Sequence, residues 1–185
     1  RVLFRSKGID INLQPAWELY NQIENKRPVI VAIIDTGIDV DHPDLKDAMW
    51  VNEDEIPGDG IDNDGNGFID DVNGWNFIDN NNQLYTGKED NHGTHAAGTI
   101  AASRNNGGSV GITDNQYVKI MSIKALGGEE GKGSPESVIA AIRYAEANGA
   151  QICNLSFGSE NCTEEFRAAI QGSKMLFVVA AGNGN

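Results

Sequence analysis

Three residues in this chain could combine proton transfer with stabilisation of a developing negative charge. Asp35 closes the apolar run VIVAIID, where a carboxylate is costly unless a neighbour satisfies it or a reaction uses it. His92 opens the small-residue stretch HGTHAAGTIAA, and imidazole is the side chain suited to moving a proton near neutral pH. Asn183 ends the run FVVAAGN and offers an amide donor at a strand tip. Each also has a plainer use by itself: Asp35 as a turn cap, His92 as a structural histidine, Asn183 as an ordinary turn residue. Chemistry requires the three to meet.

A second set of residues could hold a cation. The net charge is −13, and residues 51–90 supply eleven acids against the single Lys88. One Asn/Asp/Gly-rich excursion therefore carries most of the charge, and it reads as an acidic loop insertion rather than a generally acidic surface. Within DGIDNDGNGFIDDVN, Asp62, Asp64 and Asn66 alternate, Gly67 follows, and Asp70 and Asp71 arrive shortly after. Alternating oxygen donors with glycine at the sixth position allow a loop to wrap calcium. The expected ligands are Asp62, Asp64, Asn66, Asp70 and Asp71 with the Phe68 carbonyl. An EF-hand would place glutamate at the twelfth position, where Asn73 stands. The pattern is an EF-hand-like loop without the paired helices. Carboxylates this close in sequence repel one another without a cation. The same negative balance argues against a nucleic-acid partner, because phosphates would be repelled.

The elements that must position these groups alternate along the chain. VIVAIID (29–35), VKIMSIKAL (118–126), AQICNLSF (150–157) and MLFVVAAG (175–182) read as parallel strands buried on both faces. Between them, residues 92–104 are helix-compatible. SPESVIAAIRYAEANG begins on a capping Ser134 with Pro135 at the first helical position. Its apolar stripe is Val138, Ile142 and Ala145. TEEFRAAIQGSK takes Thr163 or Asn161 as its cap, with acids in the first turn where the helix dipole favours them. The pattern predicts one α/β domain over residues 1–185: a doubly wound, mostly parallel sheet with helices on both faces. In such sheets ligands gather at the carboxyl ends of the strands, where Asp35, Ser156–Gly158 and Asn183 fall. No apolar run approaches the length of a bilayer span, so no membrane partner is expected. Cys153 and Cys162 are expected to be free thiols, with a disulfide between them as the alternative.

Taken in order, D-T-G-I-D, D-H-P-D-L, H-G-T-H-x-A-G-T, N-L-S-F-G-S and A-A-G-N resemble the subtilisin-like serine proteases. The resemblance runs from about residue 15 to the last residue. It implies that Asp35 orients His92, that His92 acts as general base and then general acid, and that Asn183 donates to the oxyanion. It further implies that Lys132, Gly133 and Ser134, with Ser156, Phe157 and Gly158, clasp a polypeptide substrate by strand addition. Leu126 and Phe157 would line hollows for its side chains. A second calcium site would use Asp44 and Asn105, although Arg104 beside Asn105 is an unfavourable neighbour for a cation. The family also implies a secreted or cell-surface location.

One departure is large: no Gly-Thr-Ser-Met-Ala-like stretch, which carries the nucleophile in the family, occurs here. The expectation is a protease domain cut after its oxyanion residue, inactive alone. Its incomplete face would meet the remainder of the domain or a second copy of the chain. The rival is a peptide-binding pseudoprotease. A calcium-stabilised domain without a peptide role would leave Asp35, His92 and Asn183 apart.

Overall fold

The apolar runs form a five-stranded parallel sheet in the computed structural model, which describes residues 11–104, 106–113, 115–128, 130–158 and 162–182. In chain order the elements are α1 (Leu13–Asn21), β1 (Val29–Asp35), β2 (Gly74–Asn76), α2 (Asn91–Ala101), β3 (Val118–Lys124), α3 (Pro135–Ala147), β4 (Ile152–Leu155), α4 (Glu164–Gly172) and β5 (Leu176–Val179). Short 3-10 turns occupy Lys46–Ala48 and Lys88–Asp90. The sheet order is β2-β3-β1-β4-β5. Strand order therefore reverses at β1, with β3 on one flank and β4 on the other. The crevice at the carboxyl end of such a switch point is where open α/β sheets bind ligands. Asp35 is the last residue of β1 and pairs across the sheet with Lys124, the last residue of β3.

Side chains alternate across β1 and feed two cores. Ala32 and Ile34 join Met121, Ile123, Leu155 and the inner face of α3, where Val138, Ala141, Ile142, Tyr144 and Ala145 are buried. Val31 and Ile33 face the other way, against Ala97 and Ala101 of α2 and against Leu45, Ala48 and Met49. Helices thus cover both faces, as expected. Each wholly buried Ile or Leu contributes roughly 1.5–3 kcal/mol relative to exposure. Caps fall where the sequence places them. Ser137 N–H donates to Ser134 Oγ (3.1 Å) at the start of α3, and Phe166 N–H to Thr163 Oγ1 (3.2 Å) at the start of α4. Thr163 is therefore a cap of α4; Asn161, the alternative, lies outside the described residues. Cys153 is buried and Cys162 exposed, both free.

Three features differ from the sequence reading. The excursion 51–90 is not all loop. Gly74–Asn76 forms an edge strand on β3, all three residues buried. A Cβ at Gly74 (φ 133°) would sit 1.7 Å from the Ser122 carbonyl oxygen, so only glycine lets this strand close on its neighbour. Trp75 then packs into an aromatic group with Phe68, Phe77 and Tyr144. Second, β5 is not buried on both faces: Leu176, Val178 and Val179 are each more than half exposed. Among the described residues it is an edge strand, paired with β4 alone. Third, α1 precedes the sheet unannounced. Trp17 anchors it, donating from Nε1 to the Ile112 carbonyl (2.7 Å) while the Arg104 guanidinium stacks 4.2 Å above its ring.

Candidate active site

The turn after β1 and the start of α2 are packed too closely for any side chain larger than hydrogen at one position. A Cβ on Gly93 would lie 2.2 Å from the Gly37 carbonyl oxygen and 3.2 Å from Asp35 Cβ. Gly93 N–H donates to Thr36 Oγ1 (3.3 Å), and Asp39 N–H to Thr94 Oγ1 (3.0 Å). These contacts bring two residues far apart in sequence together. His92 Nδ1 is 2.7 Å from Asp35 Oδ1, which also accepts Thr36 N–H at 2.7 Å. A carboxylate only accepts, so Nδ1 carries the proton and Nε2 presents its lone pair. The Asp35 side chain is 1% exposed and that of His92 58% exposed. One end of the imidazole is fixed by a buried anion; the other is open to a reacting group.

A buried ion pair flanks this couple, and the sequence reading missed it. Lys124 donates to the Thr36 carbonyl (2.8 Å) and to Asp90 Oδ1. Asp90 Oδ2 accepts Thr86 N–H (2.6 Å) and Thr86 Oγ1–H (2.9 Å). The available signal was a lysine inside the apolar run VKIMSIKAL.

Of the expected peptide-clasping residues, Lys132 is already committed. Its N–H and C=O both pair with Gly127 (3.0 and 2.8 Å), closing a tight hairpin, so a substrate strand would have to add to its neighbours instead. Its ammonium pairs with exposed Glu130. Gly133 packs against the Ala125 carbonyl, and Ser134 Oγ is spent on capping α3. Leu126 is buried in the core rather than lining an open hollow. Ser156 and Phe157 are half-buried and Gly158 exposed beyond β4, with Ser156 Oγ accepting Asn154 Nδ2–H at 2.8 Å. Asn183 lies outside the described residues.

In the acidic loop, carboxylate oxygens of Glu55, Asp62 and Asp64 lie within 4.8 Å of one another. Glu55 was not among the expected ligands, because it lies upstream of the spaced motif. Asp62 accepts Asn66 N–H (3.0 Å) and Gly67 N–H (2.8 Å). The Gly67 bond is the main cause that holds the Asp62 carboxyl below its ordinary range. Asn66 Nδ2 donates to Asp64 and Asp71, and its Oδ1 accepts Phe68 N–H. Asp71 is buried and bonded to Asn52, Asn66 and Tyr144. Asp70 differs from expectation. Its positive φ of 55° turns the carboxylate to the N–H groups of Gly58 (2.7 Å) and Gly60 (3.1 Å), where it pins a turn and stays out of the group. At the other expected site, Asp44 accepts Asn106 Nδ2–H (2.6 Å) and Ser109 N–H (3.2 Å), and Asn105 lies outside the described residues. Arg104 turns toward Trp17 and the carbonyls of Ile112 and Thr113.

A profile described as the subtilase family matches residues 26–185. The chain is 35% identical over 184 residues to subtilisin-like protease 1 of Plasmodium berghei, covering 95% of this chain and 29% of that protein. It is 32% identical over 186 residues to the major intracellular serine protease of Bacillus subtilis, covering 96% and 49% respectively. A crystal structure of a cold-adapted subtilisin-like serine proteinase superposes with a TM-score of 0.58 at 26% identity, covering 85% of this chain and 47% of that one. The chain thus spans half or less of these relatives. The intracellular relative means that the implied secretion does not follow from similarity alone.

Proposed function

The chain belongs to the subtilase family, and on that premise we propose that it carries the acid–base half of a serine endopeptidase acting on polypeptides. The observation that supports this most is the 2.7 Å bond from His92 Nδ1 to buried Asp35, at the switch point of the sheet, with Nε2 open. In this reading His92 Nε2 takes the proton of an attacking serine and returns it to the leaving amine, while Asp35 holds the tautomer and stabilises the imidazolium. Among the described residues no serine hydroxyl is bonded to His92. Ser134 Oγ and Ser156 Oγ bond elsewhere. In this reading the serine belongs to a part of the protein outside these 185 positions, and the segment alone hydrolyses nothing efficiently. Asn183 supplies the oxyanion donor. The exposed apolar edge at β5 is covered by the rest of the domain, or by a second copy in its absence.

The proposal includes one calcium ion in the acidic loop, held by Glu55, Asp62 and Asp64, with Asn66, Asp71 and the Phe68 carbonyl as its further ligands. Hard oxygen donors in this number suit calcium, which would neutralise their mutual repulsion. A second site at Asp44 and Asn105 is the remaining member of the reading, with Asp44 already bonded into the loop that follows α2. The catalytic proposal is tested on the full-length protein with a fluorogenic peptide. Asp35→Asn should lower kcat by about 10⁴-fold, the loss expected for the wrong tautomer. Tight peptide binding with no cleavage by the parent protein would mark a pseudoprotease instead.

A further inference from the structure

Lys124 is an unusual occupant of its position. It ends a strand whose last five residues are buried, is itself 3% exposed, and stands opposite Asp35 in the β1–β3 register. An ammonium there is costly to bury and is tolerated only if its donors find acceptors. They find two: the Thr36 carbonyl, one residue after Asp35, and the carboxylate of Asp90, two residues before His92. Asp90 occupies the N-cap position of α2 but makes no side-chain cap bond. Its carboxylate turns inward to Lys124 and to Thr86, while its carbonyl accepts Thr94 Oγ1–H at 3.3 Å. A helix start that forgoes its usual cap gives up a stabilising bond to its free amides. The carboxylate is being used for something else.

We propose that Lys124 and Asp90 are positioning residues for the catalytic couple: the buried pair ties the β1 turn carrying Asp35 to the α2 start carrying His92, and fixes the Nδ1–Oδ1 contact. Besides the His92–Asp35 contact itself, the side-chain bonds described between these segments are neutral, from Gly93 N–H to Thr36 Oγ1 and from Asp39 N–H to Thr94 Oγ1. Among the described residues, Lys124 reaches both segments with a single charged group. Neither Lys124 nor Asp90 touches substrate in this role, and each acts through the geometry of His92. The inference rests on the proposed proteolytic function for its kinetic arm and on the structure alone for its spectroscopic arm.

The experiment uses the full-length protein with Asp90→Asn, Lys124→Met and the double variant Lys124→Met/Asp90→Leu. Single variants leave one buried charge unpaired and are at risk of misfolding. The double variant removes both charges, and such replacements are commonly neutral or stabilising. In the folded double variant kcat should fall roughly ten- to a hundred-fold with KM little changed, as for a misplacement on the order of 1 Å. The proton resonance of His92 Nδ1–H should also move upfield as its bond to Asp35 lengthens. A double variant that melts like the parent but keeps kcat and the Nδ1 proton signal would overturn the proposal and leave the pair a structural brace only. If the parent itself cleaves nothing, the proteolytic reading fails. The proton signal still decides whether the pair positions His92.

Discussion

Gly93→Ala separates packing from chemistry more sharply than removal of a catalytic side chain. The added methyl would sit 2.2 Å from the Gly37 carbonyl oxygen, whereas ordinary contact begins at 3.4 Å. The start of α2 and the turn after β1 must therefore move apart by about 1.2 Å. That separation falls on the His92–Asp35 bond, because His92 and Gly93 are adjacent and the methyl also comes within 3.2 Å of Asp35 Cβ. A misplacement near 1 Å costs on the order of a hundredfold in turnover, equal to about 2.7 kcal/mol of activation free energy. Overpacking should cost a further 1–3 kcal/mol or so of stability. The assay is steady-state hydrolysis of a peptide by the full-length variant, well below its melting transition and corrected for active-site concentration. The expected result is a fall in kcat with KM nearly constant. A folded Gly93→Ala protein with the parental kcat would show that the helix yields without disturbing His92, and would refute the reasoning.

Tyr144→Phe removes the hydroxyl that donates to buried Asp71. Burial and that carboxylate both raise the Tyr144 pKa, so the group remains a neutral donor. The variant should lose about 1.5–3 kcal/mol, read as a lower denaturant midpoint at unchanged slope. Chelation of the proposed calcium should loosen the acidic loop and change Trp75 emission, since Phe68 of that loop packs edge-on with its ring centre 5.1 Å from that of the indole; an emission spectrum indifferent to chelator would count against the ion. Asp62 is held below its ordinary pKa of 3.8, chiefly by the Gly67 amide. Its contribution is therefore complete above about pH 4 and lost as pH falls through the lower folded value, which an acid titration of loop amide shifts would follow. Burial pushes the Cys153 thiol up to about 12, while Cys162 is exposed. An alkylating reagent near neutral pH should label Cys162 alone in the folded protein and both thiols after unfolding.

The core strands were legible because burial on both faces leaves continuous apolar runs, and β1 occupies the residues its run predicts. Caps at Ser134 and Thr163 were legible because capping is local chemistry. The exposure of β5 was not, because its sequence reads like β4 and only the lack of a second neighbour distinguishes it. Nor was β2: three residues within an Asn/Asp/Gly-rich excursion give no period to detect, and their burial comes from β3 and the aromatic group around Trp75. Asp35 and His92 were found by motif order, and the structure brings them to hydrogen-bonding distance. Glu55 and the partnership of Lys124 with Asp90 depend on contacts between distant segments, which no local spacing encodes. Asp70 was assigned with its neighbours because spacing cannot foresee a positive φ that turns one carboxylate toward a different loop.

The central claim is that His92, held by Asp35, serves a serine elsewhere in the protein. Labelling the full-length protein with a phosphonylating serine-directed probe, and locating the adduct by mass spectrometry, tests it most directly. The account predicts one labelled serine outside these 185 residues, with labelling largely abolished by His92→Ala. Labelling on any of the serines within them, or at a rate indifferent to His92, would contradict it.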